Sequence, residues 1–144
     1  MISSFKYDPW TGFSNFAPLQ FPIERWGLKF RSVETAYMAH KTEDKRIRQQ
    51  ISQMSPGKAK KFSRTIQLRP DWEEIKVEVM RELLREKFSQ PYFKALLISS
   101  RDEELIEGNW WHDQFWGSCF CEKHSQIPGK NMLGNLLMEI RKEL

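Results

Sequence analysis

From Asp71 the chain carries its most regular pattern. Trp72, Ile75, Val79, Leu83 and, a turn later, Phe88 recur at helical period through a stretch otherwise rich in Glu, Lys and Arg. An amphipathic stripe of that kind is stable only against an apolar surface, so it predicts a scaffold helix packed on a core. Its neighbours repeat the theme. Glu43–Met54 places Ile47, Ile51 and Met54 at helical spacing, with Lys45, Arg46 and Arg48 expected on a solvated face. Ser55-Pro56-Gly57-Lys58 is a helix start, with Ser as N-cap and Pro at the first helical position, and the helix is expected to run to about Arg64. Pro91 opens a short helix with Phe93, Leu96 and Leu97 inward. Asn131-Met132-Leu133-Gly134 leads into a last one with Leu133, Leu136, Leu137 and Ile140 inward.

Extended structure is confined to little of the chain. Pro9, Gly12, Pro18 and Pro22 forbid a long helix near the N-terminus. Phe21 to Phe30 predicts a short hairpin with Gly27 near its turn, and Leu105-Ile106-Glu107 a short strand or extended connection. There is no βαβ alternation and no Gly-x-Gly-x-x-Gly, which argues against a dinucleotide-binding doubly wound sheet. The sum is an α+β, predominantly α-helical fold with a few short strands. The 144 residues suit one compact domain, expected over 1–144.

Composition narrows the class of function. A net charge of +4 fits an anionic ligand such as a phosphate ester and permits nucleic acid without demanding it. Six Trp and ten Phe favour a stacking pocket beside the core. No membrane-length apolar run and no signal-peptide core are evident, and two Cys make no disulfide scaffold, so a cytoplasmic protein with reduced thiols is expected.

Three stretches carry candidate chemistry. In Phe30–Lys41, Ser32 is a plausible N-cap, and helical spacing then puts Glu34, Tyr37, Met38 and Lys41 on one face, an expected wall for a polar site. The same pattern also suits a structural anion in a first turn. The loop Phe13-Ser14-Asn15-Phe16 offers polar groups for a ligand or for holding a turn. Asn109–Gly117 is dense in aromatic and polar residues without a clean period, which suits a site on a loop. The free N–H groups at Ser55–Lys58, with Lys58, Lys60, Lys61 and Arg64 nearby, suit a phosphate or plain packing. Two carboxylates, Glu34 and Asp113, suit acid/base work. Breaking a glycosidic bond needs a proton for the leaving group and a carboxylate that activates water or steadies an oxocarbenium-like transition state.

Other constellations are weaker. No Ser nucleophile elbow, P-loop or His-Glu-x-x-His is found. A Cys–His catalytic pair has no local support. His112, Cys119, Cys121 and His124 fall within thirteen residues and supply four zinc-type ligands. Cys-x-Cys with His three on is not a standard knuckle, and such sets are more often unliganded, so the leading expectation here is no metal.

Taken together, several segments resemble the NADAR-domain family, the YbiA-type N-glycosidases. They are Phe13-Ser14-Asn15-Phe16; Ser32-x-Glu34-x-x-Tyr37-x-x-x-Lys41; Ser55-Pro56-x-x-Ala59 with Arg64; and Trp72-x-x-x-Lys76-x-x-x-Met80 through Lys87-Phe88. Asp113-x-x-Trp116-Gly117 and Gly129-x-Asn131-x-Leu133-Gly134-x-x-Leu137-Met138 with Arg141 follow in order, so the resemblance covers the chain from about Trp10. It implies hydrolysis of an N-glycosidic bond between ribose and a base, without cofactor or metal. The implied substrates are phosphorylated ribosylamino-pyrimidine intermediates of riboflavin biosynthesis, or ADP-ribosylated guanine in nucleic acid. The alternative is a non-catalytic module binding ADP-ribose or an NAD derivative. The resemblance makes Glu34 and Asp113 the catalytic residues and Trp116, followed by Gly117, the residue that holds the base. Lys41 and Arg64 become phosphate or ribose contacts, with Ser14, Asn15, Phe16, Tyr37 and Asn131 in the pocket. Two departures stand out. Ser63 replaces an expected Gly before the arginine. The insert Ser118–His124 replaces a short Gly-rich link and borders Trp116-Gly117.

Overall fold

The structure, a computed structural model, describes all 144 residues, Met1–Leu144. A one-turn 3₁₀ helix, Trp10–Phe13, is followed by β1 (Ile23–Arg25), β2 (Leu28–Phe30), α1 (Val33–His40), α2 (Lys45–Ser52) and α3 (Pro56–Ser63). Then come α4 (Trp72–Lys87), α5 (Pro91–Ser99), β3 (Gly108–Asn109), β4 (Ser118–Cys119) and α6 (Met132–Lys142). The fold is α+β and rich in helix, as the periodicity predicts. The chain divides into two compact units. One is Asn15–Gln90, and the other joins Met1–Ser14 to Pro91–Leu144.

In the unit Asn15–Gln90, the predicted hairpin forms. β1 and β2 pair antiparallel with Ile23 opposite Phe30 and Arg25 opposite Leu28. The two linking residues, Trp26 and Gly27, have φ of 54° and 72°. Two successive positive φ values are what a tight two-residue hairpin needs to match strand twist. Arg25 in turn reaches Glu86 near the end of α4 at 2.7 Å. The Gln90 amide closes the unit: its Oε1 accepts from the N–H groups of Gln20 and Phe21, and its Nε2 donates to the Phe21 carbonyl at 2.8 Å.

Helix α1 is the centre of this unit, packed by α2, α3, α4 and the hairpin. Its burial is wider than its half-polar sequence suggests. Every residue from Val33 to Ala39 is buried, Met38 among them. The small side chains of Ala36 and Ala39 let neighbouring helices close over a helix whose sequence looks half polar. Arg48 is likewise more than a solvated charge. Its guanidinium lies 3.6 Å from the Trp26 ring centroid and its Nε donates to the Thr42 carbonyl at 2.9 Å. The start of α3 forms as predicted, with Ser55 Oγ accepting from Lys58 N at 3.3 Å. Asp71 precedes α4 without capping it by its side chain, because its carboxylate binds the Arg69 guanidinium at 2.7 Å instead.

In the other unit, the 3₁₀ helix packs on α5 so closely that a Cβ on Gly12 would stand 2.5 Å from Leu96 Cδ2. The extended segment expected at Leu105–Glu107 is a single parallel bridge between Leu105 and Ile2. The strand proper begins one residue later. β3 and β4 pair in parallel, Gly108 with Ser118 and Asn109 with Cys119. In α6, Leu133, Leu136, Leu137 and Ile140 are buried as the pattern predicts. No helix is long and apolar enough to cross a membrane.

Candidate active site

The first group of site residues lies in the unit Asn15–Gln90 and is organised by the start of α1. Ser32 caps that helix, its Oγ accepting from Thr35 N at 3.1 Å. The cap fixes Glu34 in the first turn, where the carboxylate is favoured by the helix dipole, and Glu34 is only 7% exposed. Its backbone N–H donates to the Asn15 carbonyl at 3.0 Å, which ties the loop residue Asn15 to the helix. The Asn15 amide Nδ2 lies 3.6 Å from Met80 Sδ, and its buried Oδ1 has no hydrogen-bond partner. A buried acceptor of that kind is uncommon in a folded protein.

Lys41 closes the C-terminal end of the same helix, with Nζ 5.8 Å from the Tyr37 ring centroid. Tyr37 is buried and packs on Trp72 at 5.0 Å between ring centroids. Burial pushes the Lys41 ammonium below its ordinary range. Glu34 counters this, and Lys60, Lys76 and Arg64 add to it. Lys41 is therefore the group on which one buried carboxylate and three further cations act. Phe16 is largely exposed, with Lys60 Nζ 5.8 Å from its ring centroid. Arg64 is exposed at the C-terminal end of α3, and its backbone N–H caps that end. This arrangement suits a ligand with a flat ring and a phosphate.

Sequence reasoning assigned Lys87 no role, yet it is 0% exposed at the end of α4, and desolvation lowers its pKa to about 7. A buried lysine titrating near neutrality belongs to the class of groups that cluster at functional sites. The sequence signals were its place among apolar neighbours, Leu83, Leu84 and Phe88, and at the end of the segment from Trp72 that carries the family resemblance.

The second group lies in the other unit, on the loop between β3 and β4. Asp113 Oδ1 accepts from the N–H groups of Phe115 at 3.0 Å and Trp116 at 2.9 Å, so one carboxylate oxygen holds the turn that presents Trp116. Asn109, which sequence reasoning did not single out, braces Asp113 from both sides. Its Nδ2 donates to the Asp113 carbonyl at 2.8 Å and its Oδ1 accepts from Asp113 N at 3.1 Å. The carbonyls of Phe115, Trp116 and Gly117 then accept from the N–H groups of Met132, Leu133 and Asn131. The loop thus caps α6 with main chain, which fixes Trp116 to a helix end. The Trp116 ring meets Phe115 edge to face at 4.9 Å.

Asn131 is a brace in this structure. With φ at 50°, it sends Nδ2 to the Leu105 carbonyl at 2.9 Å and accepts from Glu107 N at 3.0 Å. Both ends of its amide are engaged by main chain, which differs from the pocket contact expected of it. Ser14 ends the 3₁₀ helix, its N–H donating to the Thr11 carbonyl at 3.1 Å. Gly117 is required by space: a Cβ there would lie 2.1 Å from the Glu107 carbonyl oxygen. His112, Cys119, Cys121 and His124 come together, one donor atom from each lying within 4.8 Å of the others.

The sequence profile of the NADAR domain matches residues 4–144. The chain belongs to the NADAR-domain family. Among its NADAR relatives, the N-glycosidase YbiA of Escherichia coli K12 is 37% identical over 141 residues, covering 95% of this chain and 83% of YbiA. A maize protein named riboflavin biosynthesis protein PYRR, chloroplastic, is 33% identical over 162 residues, which is all of this chain but 25% of that protein. The solved NMR structure of Escherichia coli YbiA superposes with a TM-score of 0.80 at 35% identity, covering 99% of this chain and 84% of that one. This shared fold is the NADAR fold, helix-rich with two small sheets. An N-glycosidase is therefore the class of enzyme that this chain's relatives represent.

Proposed function

We propose that the chain hydrolyses the N-glycosidic bond between a phosphorylated ribose and a base, with a ribosylamino-pyrimidine phosphate as the first substrate to consider. The observation that carries this reading is Glu34. It is a buried carboxylate held in a capped first turn and acting on the Lys41 ammonium, which Lys60, Lys76 and Arg64 also reach. In this reading Glu34 moves the proton, either onto the leaving base or from the attacking water. The bond between ribose C1 and the base nitrogen breaks with its electron pair going to the base, and water supplies the new C1 oxygen. The four cations suit the substrate's phosphate, and Tyr37 and Phe16 offer rings beside them. Asp113 and Trp116, in the other unit, are the separate candidates for a second carboxylate and a stacking ring, each tested by its own variant, Asp113→Asn and Trp116→Ala. The name of the maize relative, with its reference to riboflavin biosynthesis, favours a free pyrimidine metabolite over ADP-ribosylated guanine in nucleic acid.

The test is to incubate the purified chain separately with a phosphorylated ribosylaminopyrimidine and with an oligonucleotide carrying ADP-ribosylated guanine, following base release by mass spectrometry. Release from the pyrimidine substrate alone is the expected result. Release from the oligonucleotide, with binding that weakens steeply as salt rises, would move the reading to nucleic acid. No release from either, with ADP-ribose still bound in calorimetry, would make this a binding module.

A further inference from the structure

We infer that His112, Cys119, Cys121 and His124 form a structural zinc site with two thiolate and two imidazole ligands, closing the insert that follows Trp116-Gly117. Each of the four residues brings one donor atom within 4.8 Å of the other three. His112 Nδ1 lies 3.2 Å from His124 Nδ1 and 3.4 Å from Cys121 Sγ, while Cys121 Sγ lies 3.1 Å from His124 Nδ1. Cys119 Sγ is 3.8 Å from His112 Nδ1. A zinc ion with Zn–S near 2.3 Å and Zn–N near 2.0 Å separates its ligands by roughly 3.3–3.8 Å in tetrahedral geometry. The four measured separations scatter about that range.

The ring geometry points the same way. The two imidazoles are tilted by 58° with centroids 5.1 Å apart, so they converge on their Nδ1 atoms rather than stack. Two neutral imidazoles facing Nδ1 to Nδ1 can share only one proton, and a thiol is a weak donor. Four mutually close groups of this kind are poorly served by hydrogen bonds among themselves. A divalent cation satisfies all four at once: two thiolates balance its charge, and two neutral imidazoles complete the shell. The complex carries no net charge, so its partial burial meets little electrostatic penalty.

The backbone prepares the set. Cys119 is buried in β4, and its N–H donates to Gln114 Oε1 at 2.7 Å. Phe120 N donates to the Asn109 carbonyl at 2.7 Å, which fixes the strand between the two cysteines. A turn closed by His124 N to the Cys121 carbonyl at 3.0 Å brings His124 back over Cys121. His112 is held at φ 71°, an unfavourable backbone conformation for a residue with a side chain, and one that persists only where surroundings determine it. Glu122, Lys123, Ser125, Gln126, Ile127 and Pro128 are all exposed, so this stretch has almost no apolar core of its own. A metal staple supplies what the composition lacks.

Four protein ligands leave no open coordination position, so the ion would be structural rather than a Lewis acid or a source of hydroxide. Two thiolates with two imidazoles favour zinc over harder cations, and two cysteines are too few for the four-cysteine set of a common iron–sulfur cluster. Its consequence for the site is local. His112 immediately precedes Asp113, and the strand bearing Cys119 pairs with Asn109, the residue that braces Asp113.

The full-length chain, purified after growth with added zinc and freed of loosely held metal on a desalting column, is expected to carry one zinc ion by inductively coupled plasma mass spectrometry. Refolded with cobalt instead, it should show the visible absorption of tetrahedral thiolate-bound cobalt. Zinc content should fall to background in Cys121→Ser and in Cys119→Ser, hold in His124→Cys, which keeps a four-ligand shell, and hold in Glu122→Gln. Chelation should lower the melting temperature of the wild-type chain and leave that of Cys121→Ser unchanged. A wild-type chain that is folded by circular dichroism and takes up no zinc overturns the proposal. So does zinc retained in full by the Cys119→Ser/Cys121→Ser double variant. The wild-type measurement decides even if a variant fails to fold.

Discussion

Replacing Lys87 by Met should change the protein's stability in a pH-dependent way, and the pH dependence is the informative part. Lys87 is wholly buried in the last turn of α4, with Nζ 5.1 Å from the Phe88 ring centroid. A helix C-terminus and a ring face both favour a cation. Desolvation nevertheless outweighs them and brings the pKa from 10.5 to about 7. The unfolded chain keeps the ordinary value, so between about pH 7 and 10.5 the unfolded state binds more protons than the folded one. Stability contributed by this group therefore rises with pH across that window. Below pH 7 the folded lysine is charged and the full shift counts against folding, about 5 kcal/mol by linkage.

Met fills a similar volume without the charge. The stability difference between Lys87→Met and wild type should be flat below about pH 6. It should then shrink as pH rises, by about 3 kcal/mol between pH 6 and 9, or roughly a hundredfold in the unfolding equilibrium. Urea titrations of both proteins at pH 6, 7, 8 and 9 measure it, and subtraction cancels the titration of every other group. Contacts that Met loses shift the whole curve without changing its slope. A difference constant to within experimental scatter across that range would refute the reasoning.

Other consequences follow from individual contacts. Gly117→Ala forces a Cβ to within 2.1 Å of the Glu107 carbonyl oxygen and should destabilise the chain by about 1–3 kcal/mol in denaturant titration. Asn131→Ala orphans the Leu105 carbonyl and the Glu107 N–H and should cost about 2–4 kcal/mol by the same measurement, with loosened exchange protection at the start of α6. Lys41→Met should raise KM more than it lowers kcat, and steady-state kinetics on the preferred substrate would show it, because in the proposed reading Lys41 contacts the substrate's phosphate and moves no proton.

The sequence was most legible where local chemistry decides structure. Ser32 and Ser55 mark two helix starts because a hydroxyl there meets a free backbone N–H, and both caps are made. Gly27 marks the hairpin because its turn needs positive φ. The long stripe from Trp72 and the apolar face of α6 are set by period alone. What escaped depends on which elements pack together. The burial of α1 on every side comes from three helices and a hairpin meeting small residues, and no single stretch of sequence encodes that. Asn131 is expected in the pocket and Asn109 carries no expectation, yet each holds main chain with its amide. The burial of Lys87 is of the same kind, since one helical turn decides whether a lysine meets water or Phe88. The set His112, Cys119, Cys121 and His124 was visible as four residue types but not as a cluster, because its closure depends on the β3–β4 pairing.

The central claim is that Glu34 moves a proton during cleavage of an N-glycosidic bond. It is tested most directly by comparing Glu34→Gln with wild type on a phosphorylated ribosylaminopyrimidine, with base release followed by mass spectrometry and substrate binding by calorimetry. The Gln side chain keeps the shape and loses the proton transfer, so kcat should fall by about 10²–10⁴-fold while affinity changes little. A variant that releases base at the wild-type rate, or a wild type that releases none while binding the substrate, would contradict the account.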